Sequence, residues 1–459
     1  MRLRTLLSAS IMRTLSVPAI ALAAALSMTS TVEVQTNVYY VRAGATGANT
    51  GVDWTNAYPT LPSTLRRGAT YYIADGTYGG YEFDDPASGS TPIYVYKATA
   101  SEHGTSTGWS SAYGDGQAIF TSSLDFTQPY YVLDGKVGGG PGSYTSGHGF
   151  KRDYVAAESN RRGVEFSSAA AQISIAHIEV DGRNWTVSSN DAFYSLCDTC
   201  DFINISYAYV HGMSRVPILT VGSDNWIVEY SFLDKFCFNS SGQHCEIISA
   251  SKGGGTDPTD NYIFRHNIFK NYESTGGLIF EGTNWDIYGN VFWWSSNQGS
   301  TTANNGAIGT WSNRGASDVS IHNNSFVGLN GGGSHRIFPI GPYSNVTAYN
   351  NLWYNSPGNG SAIFGSTVVH DYNWFSAQPL QSEPNLQVAT ALDPFLNLAG
   401  GIFELRFPTN AGKSLTAPFN TDPYGKPRGN DGRWDRGAYE YSGTTLTAPQ
   451  PPTALRIIR

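Results

Sequence analysis

The sequence predicts an all-β chain wound as a parallel β-solenoid, on three observations. A seven-residue phrase recurs at 263–269, 286–292, 320–326, 347–353 and 369–375, always with asparagine in its fifth slot. Weaker copies end at Val180, Val210 and Phe232, so the closing apolar position falls at 180, 210, 232, 269, 292, 326, 353 and 375. Those steps range from 22 to 37 residues, whereas a helical-hairpin repeat keeps a nearly fixed period; a rung of variable loops stretches in this way. Within each rung, runs of β-branched and aromatic residues alternate with clusters of Gly, Asn, Ser and Asp, the pattern of strands joined by turns.

The five recurring asparagines, Asn267, Asn290, Asn324, Asn351 and Asn373, predict one inward column. At the roughly 4.8 Å spacing of neighbouring strands, stacked amides can hydrogen-bond from rung to rung. Residues 58–67 predict a short amphipathic helix capping the first rung, with Leu61 and Leu65 inward and Arg66 and Arg67 near its C-terminal end.

In chain order, residues 1–30 carry Arg2, Arg4 and Arg13, no acids, and an apolar run from Val17 to Leu26 too short to span a bilayer. This predicts a secretory signal peptide, starting at Met1 or Met12, and a secreted, extracellular or periplasmic protein. The solenoid is expected to open at 36–160, continue through central coils at 161–380 and close at 381–441, before a Pro/Thr-rich tail at 442–459. The 459 residues include 51 glycines, 28 tyrosines and 11 tryptophans, ample for a long core. Loss of the leader would take the formal charge from −8 to about −11, which disfavours nucleic acid as a partner. No membrane span is expected, and the chain reads as a monomer.

Four cysteines, Cys197, Cys200, Cys237 and Cys245, fall within three rungs. In an oxidising compartment two disulfides are expected, most simply Cys197–Cys200 and Cys237–Cys245, although four cysteines allow three pairings. A zinc site is the weaker reading because only one C-x-x-C is present.

Two terminal signatures carry a resemblance. Residues 38–78, from Val38-Tyr39-Tyr40-Val41 through Asp53-Trp54 to Gly76-Thr77-Tyr78, resemble the opening segment of secreted bacterial right-handed parallel β-helix proteins of the pectate-lyase-like superfamily. Residues 404–441 are similar to their closing segment, with Asp422-Pro423-Tyr424-Gly425 and Trp434-Asp435-Arg436-Gly437. The resemblance implies a right-handed parallel β-helix. It does not settle the chemistry, because that scaffold hosts lyases, hydrolases, esterases and adhesins.

The rung from Gln243 to Lys252 holds the densest chemistry. His244 and Glu246 share one face by strand alternation, and a glutamate beside Ile247-Ile248 is expected to project outward. The same segment resembles the base-carrying strand of chondroitinase B and alginate-lyase-type enzymes, which implies Glu246 as a calcium ligand and Lys252 as Brønsted base. It departs from that pattern in the position of the lysine, one residue late, and in Glu281, which stands where an arginine is expected. Aligned by their apolar pairs, the rungs predict a column of Pro217, Glu246, Gly277, Gly306 and Arg336, with Arg215, His244 and His335 beside it. The two glycines read either as an open substrate floor or as a tight bend.

β-Elimination on a uronic-acid polysaccharide needs neutralisation of the sugar carboxylate, a base, and an acid for the leaving oxygen. The expected catalytic residues are His244, Lys252 and Arg215. Arg336, His335, Glu281 and Trp311 are expected to bind an acidic polysaccharide, and Glu246 to hold calcium. The alternatives are a glycoside hydrolase using Glu246 and Glu281, and a non-catalytic glycan-binding rod.

Overall fold

A computed structural model describes residues 37–155, 161–184, 190–236, 245–252, 259–272, 276–295, 306–329, 333–356, 362–389 and 392–443. These form three long parallel sheets, here A, B and C, visited in that order by each rung, as in Ile203–Ser206 (A), Tyr209–Met213 (B) and Ile218–Val221 (C). Sheets A and B each have 12 strands and sheet C has 8 among the described residues. Every pairing between them is parallel; a short antiparallel hairpin, Phe395–Asn397 with Ile402–Leu405, lies outside the stack. The chain is thus a parallel β-helix. Among the described residues there is no α-helix, and no helix long and apolar enough to cross a membrane.

From Tyr207 on, the corner from sheet A to sheet B is a two-residue turn. Its first residue takes a left-handed conformation in rung after rung, at Tyr207, Tyr230, His266, Gly289, Asn323, Asn350 and Tyr372. Most L-residues avoid this conformation, so each rung needs compensation at its second turn residue. From Asn267 onward that residue is the ladder asparagine. Asn267 Nδ2 donates to Asn290 Oδ1 at 3.0 Å, Asn290 to Asn324 at 3.0 Å, Asn324 to Asn351 at 3.1 Å and Asn351 to Asn373 at 3.2 Å. Each backbone N–H donates to the same oxygen of the next amide, and each Nδ2 also donates to a sheet A carbonyl such as Ile287 O at 2.8 Å. Ser231 N–H opens the column on Asn267 Oδ1 at 3.0 Å, and the Glu383 carboxylate ends it, accepting from Asn373 Nδ2 at 2.9 Å. All five asparagines are buried, as the repeat requires.

Beside this column runs an inward aromatic one, Phe269, Phe292, Phe326, Trp353 and Phe375, with ring centroids 4.6 to 5.2 Å apart. Its earlier member is Leu233, not Phe232, because Val210 pairs with Leu233 and Leu233 with Phe269. Phe232 instead faces outward into a second apolar cluster with Ile268, Leu352, Phe403 and Tyr439. Through that cluster the closing segment lies over the outer face of sheet B. It is tied down where Ala438 N–H donates to Ser325 Oγ, Trp434 Nε1 to Asn323 Oδ1, and Arg436 Nη1 to Asn373 O.

The expected N-terminal capping helix is absent: residues 58–67 are bends and turns. Pro59 and Pro62 lack an N–H and push the residue before each out of helical conformation. Leu61 and Leu65 are nonetheless buried, and Arg67 reaches the carbonyls of Pro129 and Tyr130 at 2.8 Å. The Cys197–Cys200 disulfide is formed, and Cys245 is disulfide-bonded; Cys237, its expected partner, lies outside the described residues. The leader, His244 and the tail from 444 lie outside them too.

Replacing Asn324 by Ala removes one rung of the amide column and leaves the Asn290 N–H groups without their acceptor. A loss of about 1 to 3 kcal/mol is expected, measured by denaturant unfolding, with Asn324→Asp failing to restore it because a carboxylate cannot donate to Asn351.

Candidate active site

From Tyr207 on the A to B corner is constant, so variation in rung length falls there on the other two, whereas earlier rungs have longer A to B connections at 98–117 and 135–149. Connections from sheet B to sheet C run from Gly79–Gly80 at the shortest to residues 294–307. In sheet C the inward row is Val164, Phe193, Ile218, Ile248, Leu278 and Ile308, all buried in the core. The outward row is Glu165, Tyr194, Leu219, Ser249, Ile279 and Gly309.

This register shifts the expected column by one residue. Ile218 pairs with Ile248 and Ile248 with Leu278, so Ile247, not Glu246, lies beside Pro217 and Gly277. A one-residue slip reverses the face, and Glu246 has the parity of core Ile248 and no exposed surface, contrary to the outward projection expected of it. The two glycines of the expected floor also answer to chain packing. A Cβ on Gly277 would lie 2.2 Å from Ala307 O, and one on Gly306, whose φ is +93°, 2.4 Å from Arg336 O.

What remains open lies at the next corner, from sheet C to sheet A. Lys252 is exposed just after Ile248–Ser251, and its backbone N–H donates to the Glu281 carboxylate one rung on. Glu281 is buried, and Arg314, from the following rung, grips its Oε1 at 2.5 Å while keeping about a quarter of its side chain exposed. Trp311 opens the same turn, Arg314 N–H donating to Trp311 O at 3.1 Å. Sheet C then narrows to Ile308–Gly309 and to single bridges at Ile337 and Phe364. Arg336 precedes its bridge, in the row of Ala307 and Gly277, at the sheet B end of sheet C. Its Nε donates to Ala362 O at 2.9 Å, and it borders a pocket of about 630 Å³ built by the turns that follow. The register thus gathers Lys252, Glu281 and Trp311 along one edge, with Arg314 as a member no sequence pattern singled out, and leaves Arg336 on the other side of the strands. The only sequence signal for Arg314 was the acid in the slot where an arginine was expected.

The other named residues sit apart from that edge. Arg215 pairs with Asp191 at 2.9 Å, not with Asp234 or Glu229. Burial pushes the Asp191 carboxyl up, and Arg215 and then Arg162 pull it back. His335 is buried with neither ring nitrogen hydrogen-bonded, and burial, aided by Arg336, lowers it to about 4. Of the tryptophans weighed as sugar platforms, Trp285 is fully buried and Trp294 nearly so.

Among the described residues one group of three metal-ligating side chains occurs, Glu179, Asp181 and His211 on sheet B, with ligand atoms within 4.8 Å, and it does not include Glu246. That group can hold a metal ion, but its imidazole is not the all-oxygen set calcium prefers. The Lys151 ammonium already lies 2.8 Å from Glu179 and 2.9 Å from Asp181. Burial raises the Glu179 carboxyl, and hydrogen bonds from His211, Lys151 and Gln117 outweigh it, holding it at about 2.

No family model matches the chain, and a search of curated proteins finds no match. The structure is similar to pectate lyase Pel9A, at 14% identity and a TM-score of 0.42 over 88% of this chain and 96% of that one. It is also similar to the PL6 family polysaccharide lyase Pedsa3628 from Pseudopedobacter saltans (11%, 0.32, 77% of this chain and 94% of that one). A third likeness is to a GH136 lacto-N-biosidase from Eubacterium ramulus (11%, 0.35, 77% and 68%).

Buried neutral histidines give a pH signature. His335 and His148 both fall from 6.5 to about 4 on folding, with burial the leading cause. A base with a depressed folded pKa stabilises above its unfolded pKa, and that stability is lost as pH falls. Between pH 6.5 and 4 the unfolded chain binds more protons, so stability should drop by up to about 3 kcal/mol per ring. Denaturant midpoints at pH 7, 5.5 and 4 read this slope, and His335→Asn should flatten it.

Proposed function

We propose that the protein is a polysaccharide-active enzyme of the export compartment, and that it cleaves a uronic-acid polysaccharide by β-elimination. One observation carries this reading: in a chain of net charge −8, Lys252 and Arg314 meet at one open corner of the helix, both tied to Glu281, and Arg336 borders a pocket among the turns that follow. An acidic protein repels an anionic polymer except where cations are gathered. Arg314 is held in position by a buried carboxylate, so its charge is preorganised rather than recruited on binding.

In this proposal Arg314 neutralises the carboxylate of the sugar to be cut, which acidifies the proton on the adjacent carbon. Lys252, unprotonated, removes that proton; the electron pair forms the carbon–carbon double bond, and the bond to the glycosidic oxygen breaks. The Lys252 ammonium so formed can pass its proton to the leaving oxygen. No step is routed through a metal ion. Trp311 offers a ring for a sugar face. His244 remains a second candidate base, Arg215 a structural cation, and Glu246 and His335 buried supports of the rung.

The hydrolase alternative has less support, since it needs a carboxylic acid able to give up a proton. Glu281 is clasped by Arg314 and by the Lys252 N–H, and Glu246 is fully buried.

Incubation with alginate, pectate and chondroitin, reading the ultraviolet absorbance of unsaturated ends, should reveal one polymer that is cleaved. Lys252→Ala should lower that rate by about 10²- to 10⁴-fold with little loss of binding, because a base acts in the transition state. Products with saturated ends would favour the hydrolase, and binding without cleavage a glycan-binding rod.

A further inference from the structure

The pocket beside Arg336 adds something Lys252 and Arg314 do not. Two successive turns build it: Pro339 to Tyr343, and Phe364 to Thr367 in the next rung. Both are pinned from behind. Gln381 Oε1 accepts from the Ile363 and Phe364 N–H groups at 2.8 and 3.2 Å, fixing the second turn. The Tyr343 ring lies 5.1 Å from that of Phe338, and its hydroxyl fills the space a side chain at residue 365 would take, since a Cβ on Gly365 would lie 2.1 Å from it. The cavity is therefore held open by side chains already committed to one another.

Its lining contains Arg336, the half-buried Tyr343 ring, the exposed Ser366 and Thr367, and no carboxylate, while the Phe364 ring is turned into the core against His370. Arg336 spends Nε on Ala362 O, and its two Nη groups make no hydrogen bond to the described residues. A guanidinium anchored by one nitrogen presents the other two as a fork, the geometry that grips a carboxylate. Hydroxyls and a ring face around such a fork suit a sugar ring. We infer that this pocket is a subsite for one carboxylate-bearing sugar unit of an oligouronide. The inference rests on the proposed action on an acidic polysaccharide.

The test is calorimetric titration of the Lys252→Ala protein, expected to turn over slowly, with saturated tetramers of galacturonate, mannuronate and guluronate and with cellotetraose as the neutral control. One uronate series should bind and cellotetraose should not. Arg336→Ala should weaken that binding at least tenfold, with Arg336→Lys recovering part of it. Thr367→Trp, at an exposed position that blocks the mouth, should weaken it likewise with an unchanged melting temperature, which guards against a folding defect in the first variant. Uronate binding untouched by both substitutions, equal binding of cellotetraose, or no uronate binding at millimolar concentration would overturn the subsite. If tetramers bind through Arg336 but no polymer gives unsaturated ends, the subsite stands and the lyase falls. If elimination proceeds while binding ignores the pocket, the lyase stands and the subsite falls.

Discussion

The buried amide column at the corner between sheets A and B is the constraint on which the rest of the molecule depends. A parallel helix of short strands must turn sharply once per rung, and here it does so in two residues, the first of them in a left-handed conformation. Each turn exposes backbone groups that no strand can satisfy. The asparagine at the second position satisfies them from its own rung and the next, so the cost of the turn is offset only when rungs are stacked. The turn and the stack therefore stabilise each other, and neither forms alone.

From Tyr207 on that corner is constant, and loops lengthen there at the other two. The closing segment covers the outer face of sheet B over its apolar rungs, from Phe232 to Trp374. Where sheet B is polar instead, at Lys151, Glu179, Asp181 and His211, the groups neutralise one another. Around sheet C the cations are anchored instead to groups of the fold: Arg314 is held by Glu281, and Arg336 by a carbonyl beside the pocket.

Some of this was legible in the chain. The solenoid, the asparagine column, the inward aromatic positions from Phe269 onward and the Cys197–Cys200 bridge all rest on residues that repeat or lie close in sequence. Lys252, Glu281, Trp311 and Arg336 were named from sequence as well, but around one column of the strands, whereas the register sets Lys252 past one end of sheet C and Arg336 before the other. The capping helix failed on local grounds, since Pro59 and Pro62 outweighed the spacing of Leu61 and Leu65.

What the sequence determined by itself was the rung, because its signals are short-range: alternation, a turn-forming residue and an amide in a fixed slot. What the tertiary structure decided was the register between rungs and everything that crosses it. A strand has a period of two, so a single residue of slip in an irregular loop sends Glu246 inward and Phe232 outward, and no local pattern reports that slip. The grip of Arg314 on Glu281 likewise joins residues from different rungs. Only stacking brings them together.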